Sequence, residues 1–258
     1  LFGAITTPPD PEYRSVLVQI RKALDLYANV RPIRGEGVDV VIVRENTEGL
    51  YSGIEWTEPV RACTLRVVSR QGSERIARYA CTLAKSRRHL TVGNKANVLK
   101  SDCLFVDICT AEAVRAGVPC RTSYIDALCL DLLMHPDRYD VIVTTNMFGD
   151  ILSDAAAYLV GGLGMLPSAN IGDRHALFEP VHGSAPDIAG RNIANPVAAI
   201  RSAAMLLAHL GDPASAAAME AAVGRVLSAG IRTPDLGGDA GTREFGAAVL
   251  REVGRGKA

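Results

Sequence analysis

Two aspartates separated by one helical turn follow an apolar run that is typical of a strand. They are Asp150 and Asp154, in the segment that begins at Asn146. This spacing places both carboxylates on one face of the first turns of a helix. Acids in such a place either complement the helix dipole or bind a cation. Because a hard cation needs several oxygen ligands, the spacing alone favours the dipole interpretation.

A third acid changes that balance. Asp126 lies among apolar residues, where a carboxylate is costly unless it is paired or bound to a metal. Three carboxylates, with substrate oxygens and water, would make a plausible octahedral shell for Mg²⁺ or Mn²⁺. Taken alone, however, Asp126 could equally be the N-cap of a helix.

Two polar segments carry side chains that could move protons or bind an anion. One runs from Arg44 to Tyr51 after a predicted strand, and the other places Lys95 after a strand-like run. A tyrosine can donate a proton, and a lysine can act as a base if burial or positive charge lowers its pKa. The planar forks of Arg21, Arg31 and Arg44 suit carboxylates. Ordinary surface positions are the alternative for each of these residues.

A loop rich in Gly, Ser, Ala and Pro between Phe178 and Pro196 is the most informative segment. Its composition predicts a compact turn whose backbone can approach a flat ligand closely. The segment is not a GxGxxG motif. An acid in such a loop could bind ribose hydroxyls, whereas a 2'-phosphate would require positive charge.

The elements that must position these residues are strands and helices in alternation, which predicts an α/β protein. Runs of β-branched residues predict buried strands at 39–44 and 139–145. Apolar periodicity predicts helices at 15–28, 73–85, 102–116, 126–134, 151–160, 196–210 and 215–229.

Composition and charge are those of an ordinary globular protein. The chain has 258 residues, and 28 basic side chains balance 28 acidic ones, so no net field directs it to nucleic acid or to an anionic membrane. The six cysteines have no CxxC spacing, which predicts reduced thiols. Without a signal pattern or a spanning apolar run, a cytoplasmic enzyme is expected.

These segments together resemble the isocitrate, isopropylmalate and homoisocitrate dehydrogenases, which are β-decarboxylating dehydrogenases. The likeness covers essentially the whole chain and is strongest at 26–32, 44–51, 94–99, 146–154, 161–172, 178–196 and 233–238. It implies a two-domain α/β fold like that of isopropylmalate dehydrogenase, with a central mixed sheet, rather than a Rossmann fold. The expected cofactor-binding domain comprises residues 1–28 and 164–258, and the expected dimerisation, metal and substrate domain comprises 29–163. The family's opening strand and glycine-rich turn are expected ahead of the first residues, so the N-terminal part of the large domain is expected to be missing.

The resemblance also implies a role for each candidate residue. Tyr51 is the expected general acid. Lys95, from the second subunit of a homodimer or tetramer, is expected to assist removal of the hydroxyl proton. The expected ligands of Mg²⁺ or Mn²⁺ are Asp150, Asp154 and the second subunit's Asp126. The expected substrate-binding residues are Ser15, Arg21, Arg31 and Arg44, and the expected cofactor-binding residues are Thr7, His182, Gly183, Ser184, Ala185, Asp187, Ile188 and Asn195.

Cofactor and substrate follow from particular positions within the resemblance. Asp187 and Ile188 match the NAD-using members, since NADP-using relatives have lysine and tyrosine there. Leu17 stands where isocitrate enzymes usually have asparagine, whereas Ser15 is similar to the isocitrate and homoisocitrate branches. We therefore expect homoisocitrate or 3-isopropylmalate as substrate, then isocitrate, then D-malate or tartrate. A non-catalytic regulatory subunit or truncated paralogue is the rival class, which the presence of Tyr51 and Lys95 disfavours.

Overall fold

The computed structural model describes Leu1, Gly3–Ile5 and Ser15–Arg255. Within these residues the chain forms two compact units. Unit 1 comprises the described residues of the ranges 1–8, 161–169 and 177–258, and unit 2 comprises those of 9–160 and 170–176. The sequence grouped residues 1–28 with residues 164–258, whereas the helix at Val16–Ala23 lies in unit 2. Thr7, a predicted cofactor residue, lies outside the described residues.

Unit 2 is built on a mixed β-sheet. Its elements in chain order are α1 (Val16–Ala23), β1 (Ala28–Gly35), β2 (Val38–Glu45), β3 (Glu55–Glu58), β4 (Arg61–Thr64), α2 (Arg70–Ala84), β5 (Leu90–Asn94), α3 (Lys100–Ala116), β6 (Cys120–Tyr124), α4 (Ile125–Met134), β7 (Val141–Thr144) and α5 (Asn146–Ala156). The strand order in this unit is β6-β5-β7-β2-β1. Only the β1–β2 pair in that order is antiparallel, while β3 and β4 form a separate hairpin.

The two predicted strands are confirmed as the centre of this sheet. β2 and β7 pair in parallel, from Val41 opposite Val141 to Arg44 opposite Thr144. Every residue of β7 is buried, as is every residue of β2 except Asp39. Continuous β-branched runs suit strands that are covered on both faces, and this is why the sequence signal was strong here.

The predicted helix at 15–28 is too long. α1 ends at Ala23, Asp25 adopts a left-handed φ of 47°, and β1 begins at Ala28. The prediction extended the helix too far because a short apolar run fits both the helical and the strand period. The predicted helix at 151–160 lies too far along the chain. α5 already begins at Asn146, and residues 157–160 form a 3-10 turn.

Unit 1 is mainly helical. The remaining elements of the chain are β8 (Pro167–Ile171), β9 (Ala176–Pro180), α6 (Val197–His209), α7 (Pro213–Ser228) and α8 (Thr242–Arg255), and both strands extend across the division between the units. α6 packs against α7, and α7 packs against α8. The sequence did not predict α8, whose buried residues are only Phe245, Ala248 and Val249. A sparse apolar stripe gives a weak periodic signal.

The observed elements confirm the predicted fold class, an α/β protein with a central mixed sheet. Among the helices of the described residues, none combines the length and the apolar composition required to cross a bilayer.

Candidate active site

The β1–β2 pair places two arginines side by side in the interior of unit 2. The register sets Arg31 opposite Ile42 and Asn29 opposite Arg44. Because alternate residues of a strand point to the same face, Asn29, Arg31 and Arg44 share one face of the sheet. Arg31 and Arg44 are only 4% and 1% exposed. Two cations buried in this way require acids or hydrogen-bond acceptors close by.

Helix α5 supplies the acids. Asp150 forms an ion pair with Arg44 through Oδ1, and Arg31 Nη2 lies 3.2 Å from the same oxygen. Asp154 Oδ1 lies 3.2 Å from Arg31 Nη1. The dipole interpretation of these acids is wrong, because α5 begins at Asn146 and no acid lies in its first turn. Both carboxylates instead converge on Arg31.

Close packing of α5 on β2 depends on Gly149. A Cβ atom at Gly149 would lie 2.7 Å from the Cβ of Arg44, closer than non-bonded carbon atoms approach each other. Next to it, Asn146 Oδ1 accepts hydrogen bonds from Arg44 Nε at 2.9 Å and from Nη2 at 2.7 Å. Asn146 Nδ2 donates to the carbonyl oxygen of Glu48 at 3.0 Å. The helix start and the arginine therefore hold each other in place.

Arg31 has its own set of polar supports. Its Nε donates to Asn29 Oδ1 at 2.7 Å, and its Nη1 donates to Ser153 Oγ at 2.6 Å. Asn29 Nδ2 in turn donates to Asn170 Oδ1 at 2.8 Å. Sequence reasoning missed Asn29, Asn146 and Ser153 as site residues. Their only signal was their place within the segments that resemble the dehydrogenase family.

Tyr51 completes this cluster. It lies in a 3-10 turn at Leu50–Ser52, after Gly49 with a φ of 77°. Its hydroxyl donates to Asp150 Oδ2 at 3.0 Å, and the guanidinium carbon of Arg44 lies 5.4 Å from the ring centre. Burial, and next the Asp150 charge, raise the pKa of Tyr51. The phenol therefore stays protonated at neutral pH, as a general acid must.

The two aspartates respond differently to the same surroundings. Burial alone would raise the pKa of Asp150, but Arg44 and Arg31 lower it below its usual value. Burial raises the pKa of Asp154, against a smaller opposing effect of Arg31. Arg21 also acts on Asp150 and Arg44, which places it near them. Three arginines around two aspartates give the cluster an excess of positive charge, which suits an anionic ligand.

Lys95 and Asp126 form a separate pair in unit 2. Lys95 follows β5 directly, and its Nζ lies 2.8 Å from Asp126 Oδ1. Asp126 lies in the first turn of α4, and its side chain is 67% exposed. The prediction that Asp126 lies in apolar surroundings is therefore wrong for the single chain, because this end of α4 lies at the surface. Hydrogen bonding from Lys95, then from backbone amides, lowers the pKa of Asp126.

The three predicted metal ligands are not together in one chain. Asp150 and Asp154 meet at Arg31, whereas Asp126 meets Lys95. Within the described ranges, no group of three or more His, Cys, Asp and Glu side chains is placed to hold a metal ion. Two carboxylates on α5 are suitable oxygen donors for Mg²⁺ or Mn²⁺, but they need a further ligand.

The predicted cofactor loop lines a cavity of about 700 Å³ in unit 1, a volume within the usual range for small-molecule sites. Six predicted cofactor residues line it, namely His182, Gly183, Ser184, Ala185, Ile188 and Asn195. Asp187 lies in the same 3-10 turn as Ile188, at Pro186–Ile188, but outside that lining. Ser15, a predicted substrate residue, lies elsewhere, directly before α1 in unit 2.

Sequence reasoning missed part of the cavity wall. Asn192, Asp235, Thr242 and Arg243 all line it. Asn192 has a left-handed φ of 58°, and its Oδ1 accepts a hydrogen bond from the Arg243 amide at 3.1 Å. Thr242 Oγ1 donates to the carbonyl oxygen of Ala194 at 2.6 Å. The start of α8 is therefore tied to the predicted loop, a contact between segments far apart in sequence.

Comparison with known proteins gives concordant matches over nearly the whole chain. A sequence model of the isocitrate/isopropylmalate dehydrogenase family matches residues 1–249. An isocitrate/homoisocitrate dehydrogenase of Thermus thermophilus is 51% identical over 98% of this chain and 80% of that relative. A 3-isopropylmalate dehydrogenase of Archaeoglobus fulgidus is 50% identical over 95% of this chain and 78% of that relative. The crystal structure of isocitrate dehydrogenase from Methylococcus capsulatus superposes with a TM-score of 0.94 at 48% identity, covering 97% of this chain and 80% of that one.

Proposed function

Because the chain belongs to the isocitrate/isopropylmalate dehydrogenase family of β-decarboxylating dehydrogenases, we propose that it uses NAD and Mg²⁺ or Mn²⁺ to oxidise and decarboxylate homoisocitrate or 3-isopropylmalate. The observation that carries this proposal is the part-buried cluster in which Arg31, Arg44 and Tyr51 all contact Asp150. The cluster combines anion recognition, an oxygen ligand for a cation and a protonated phenol.

Substrate binding follows from the arginines. A guanidinium fork can donate two parallel hydrogen bonds to a carboxylate, and the substrate has carboxylates on C1 and C3. We assign this contact to Arg21, Arg31 and Arg44. Asp150 and Asp154, with the partner's Asp126, would hold the divalent cation, which supplies polarisation of the hydroxyl and stabilisation of the developing enolate. All three ligands are carboxylates, which Mg²⁺ and Mn²⁺ prefer.

The proton steps are assigned to Lys95 and Tyr51. The partner's Lys95 would assist removal of the proton from the C2 hydroxyl, and the nicotinamide, when bound, would supply the acceptor for the C2 hydride. Carbon dioxide then leaves from C3, and Tyr51 returns a proton to that carbon. Its raised pKa keeps the phenol protonated until this step, and its hydrogen bond to Asp150 fixes its direction.

We assign the cofactor to the cavity of unit 1, with Asp187 as the ligand of the adenosine ribose. Ala185 and Asn192 hold left-handed φ values of 44° and 58° in the loop that lines this cavity. Non-glycine residues keep such conformations only where the surroundings enforce them, often at ligand sites.

We expect NAD to be preferred over NADP, because a carboxylate near the ribose repels a 2'-phosphate. The ratio of kcat/KM for the two cofactors measures this preference. Asp187→Asn should lower the ratio by about tenfold, whereas the control Asp173→Asn, in unit 2, should leave it unchanged. Equal or better turnover of NADP by the wild-type protein would refute the assignment.

Substrate choice rests on α1. Leu17 and Val18 are half-buried on this helix and offer an apolar wall, while Ser15 lies directly before it. An apolar wall suits the branched alkyl group of isopropylmalate, and a longer acidic tail could pass it to reach Ser15. Both acids therefore stand ahead of isocitrate, with D-malate and tartrate behind.

A panel of these five acids with NAD and Mn²⁺, compared by kcat/KM, tests the function and the substrate together. We expect homoisocitrate or 3-isopropylmalate to be turned over best, and Leu17→Asn to shift the preference toward isocitrate. If isocitrate is preferred by the wild-type protein by more than about tenfold, or about 1.4 kcal/mol, Leu17 is not an apolar selector. If no acid is turned over, the rival function as a regulatory subunit is favoured.

We propose a homodimer in which each site is completed by the second copy. Large apolar side chains are exposed on the neighbouring helices α4 and α5 and just beyond α5, namely Leu130, Met134, Ile151 and Tyr158. The same two helices carry Asp126 and Asp150. Burial of this surface in a dimer would favour association and place both acids at an interface.

The cytoplasmic location and the assignment of domain roles to the predicted ranges also stay predictions.

A further inference from the structure

Arg66 is an enclosed arginine that is not among the predicted site residues. It lies between β4 and α2, and its side chain is 14% exposed. The neighbouring residue Val67 pairs with Gly49 through two backbone hydrogen bonds of 2.9 Å and 3.2 Å. The backbone of Arg66 is therefore anchored beside the turn that carries Tyr51.

On one side, the guanidinium group contacts the start of α3. Arg66 Nη1 donates to Ser101 Oγ at 2.6 Å, and Nη2 lies 2.6 Å from Asp102 Oδ1. Asp102 is fully buried, and this ion pair is held by charge rather than by an aligned hydrogen bond. The other carboxylate oxygen of Asp102, Oδ2, accepts a hydrogen bond from the backbone amide of Lys95 at 2.6 Å. Asp102 thus links Arg66 directly to the residue assigned to hydroxyl deprotonation.

On the other side, the same guanidinium group contacts the start of α5. Arg66 Nη2 donates to Thr145 Oγ1 at 3.0 Å, and its guanidinium carbon lies 5.2 Å from the centre of the Phe148 ring. Thr145 is the N-cap of the helix that carries Asp150 and Asp154. One side chain therefore spans the Lys95 turn and the acid-bearing helix.

We propose that Arg66 is a positioning residue that acts through Asp102 to fix the turn that carries Lys95, which in the proposed dimer serves the partner's site. The proposal rests on the function proposed above, in which Lys95 assists the proton transfer. The rate of proton transfer falls steeply when the catalytic base is displaced by about 1 Å. Substrate binding by the arginines does not depend on the position of Lys95. Loss of Arg66 should therefore lower kcat and leave KM nearly unchanged.

Arg66→Lys in the full chain is the decisive variant, because lysine keeps the charge beside Asp102 but cannot span Ser101 and Thr145 together. We expect kcat for the preferred acid to fall by about tenfold or more, with KM changed by less than about threefold. The matched control is Arg87→Lys, since Arg87 is similarly enclosed at 16% exposure and binds Asp39 and Asp140 away from the cluster. The control should change Tm to a similar extent and kcat by less than about twofold.

A double-mutant cycle separates positioning from general structural damage. In a Lys95→Ala background, adding Arg66→Lys should lower kcat by less than about twofold, because the residue to be positioned is gone. Ser101→Ala, which removes one contact only, provides a milder variant with an expected loss of about threefold. An equal loss with and without Lys95, or a loss no larger than that of Arg87→Lys, would overturn the positioning role. Inactivity of the wild-type protein toward every acid would instead overturn the proposed function, and this role with it.

Discussion

At the scale of single residues, the site depends on a buried charge, Arg44, whose three nitrogens each contact a polar partner. Arg44 is 1% exposed, and Asn146 and Asp150 together contact its Nε and both terminal nitrogens. Burial, and next Arg31, lower the pKa of Arg44, but a guanidinium remains charged at neutral pH. A fixed cation of this kind recognises a carboxylate without first having to be ordered.

Replacement of Tyr51 tests the assigned proton donor. Tyr51→Phe removes the hydroxyl that contacts Asp150 but keeps the ring beside Arg44. We expect kcat to fall by about a hundredfold or more, which is typical when a positioned acid is lost, with a small change in KM. Steady-state kinetics with the preferred acid measures both. Tyr139→Phe is the control, because it removes a hydroxyl that donates to an aspartate, Asp131, outside this cluster; a loss of less than about tenfold at Tyr51 would remove it from the proton step.

Sequence reasoning found the residues to which we assign chemistry, but not those that hold them in place. Arg31, Arg44, Tyr51, Asp150 and Asp154 were all singled out, and the structure brings them together. Their supports, such as Asn146 for Arg44 and Asp102 for Lys95, were missed. The Arg44–Asn146 contact joins residues 102 positions apart, and no local spacing or composition encodes a contact of that range. It follows from the parallel pairing of β2 with β7.

At the scale of elements, the site depends on how closely α5 approaches β2. The approach is possible because Gly149 has no side chain where it faces Arg44. The sequence located β2, since a buried β-branched strand gives a strong signal, but it began the following helix at 151, whereas α5 begins at Asn146. It missed β1, because the run from Leu26 to Val30 is too short to distinguish a strand from the end of a helix. The partner strand of Arg44 therefore had to come from the structure.

Gly149→Ala should lower the free energy of unfolding, although helix propensity alone would predict that alanine raises it. In an open helical position, Gly→Ala stabilises by about 0.5–1 kcal/mol. Gly224 in α7 is such a position, since an added Cβ would meet nothing within 4 Å. At Gly149 the added carbon would lie 2.7 Å from Arg44 Cβ, and overpacking of this kind costs about 1–3 kcal/mol.

Urea unfolding of the two variants should therefore move in opposite directions. Gly224→Ala should raise the free energy of unfolding, and Gly149→Ala should lower it and also reduce kcat, because Asp150 moves with the helix. Stabilisation by both substitutions would show that α5 does not pack this closely on β2.

At the scale of the whole molecule, the residues assigned to catalysis fall into two groups within unit 2. Arg31, Arg44, Tyr51, Asp150 and Asp154 form one group, and Lys95 with Asp126 forms the other. The sequence resemblance attributed the second group to a partner subunit. That attribution could not come from spacing or composition, because nothing in a single chain specifies which copy completes a site.

Mixing two inactive variants tests whether the sites are shared between copies. Lys95→Ala and Asp150→Ala should each be nearly inactive alone. In a mixed dimer, one site combines Asp150 of the first chain with Lys95 of the second and is intact, while the other site lacks both. Random exchange of equal amounts makes half of the dimers mixed, so about a quarter of wild-type activity should return.

The control for this experiment is the double variant Lys95→Ala/Asp150→Ala, mixed with Lys95→Ala. No pairing of those chains supplies Lys95, so activity should stay at the level of the single variants if recovery requires complementary halves. Recovery must also depend on exchange: it should rise as the mixture is diluted and reconcentrated, and size-exclusion chromatography should show a dimer after reconcentration. A monomer with full turnover, or a dimer whose variants never complement, would place Lys95 and Asp150 in the same chain's site. In that case the surface formed by Leu130, Met134, Ile151 and Tyr158, which is exposed in the single chain, would have no part in completing the active site.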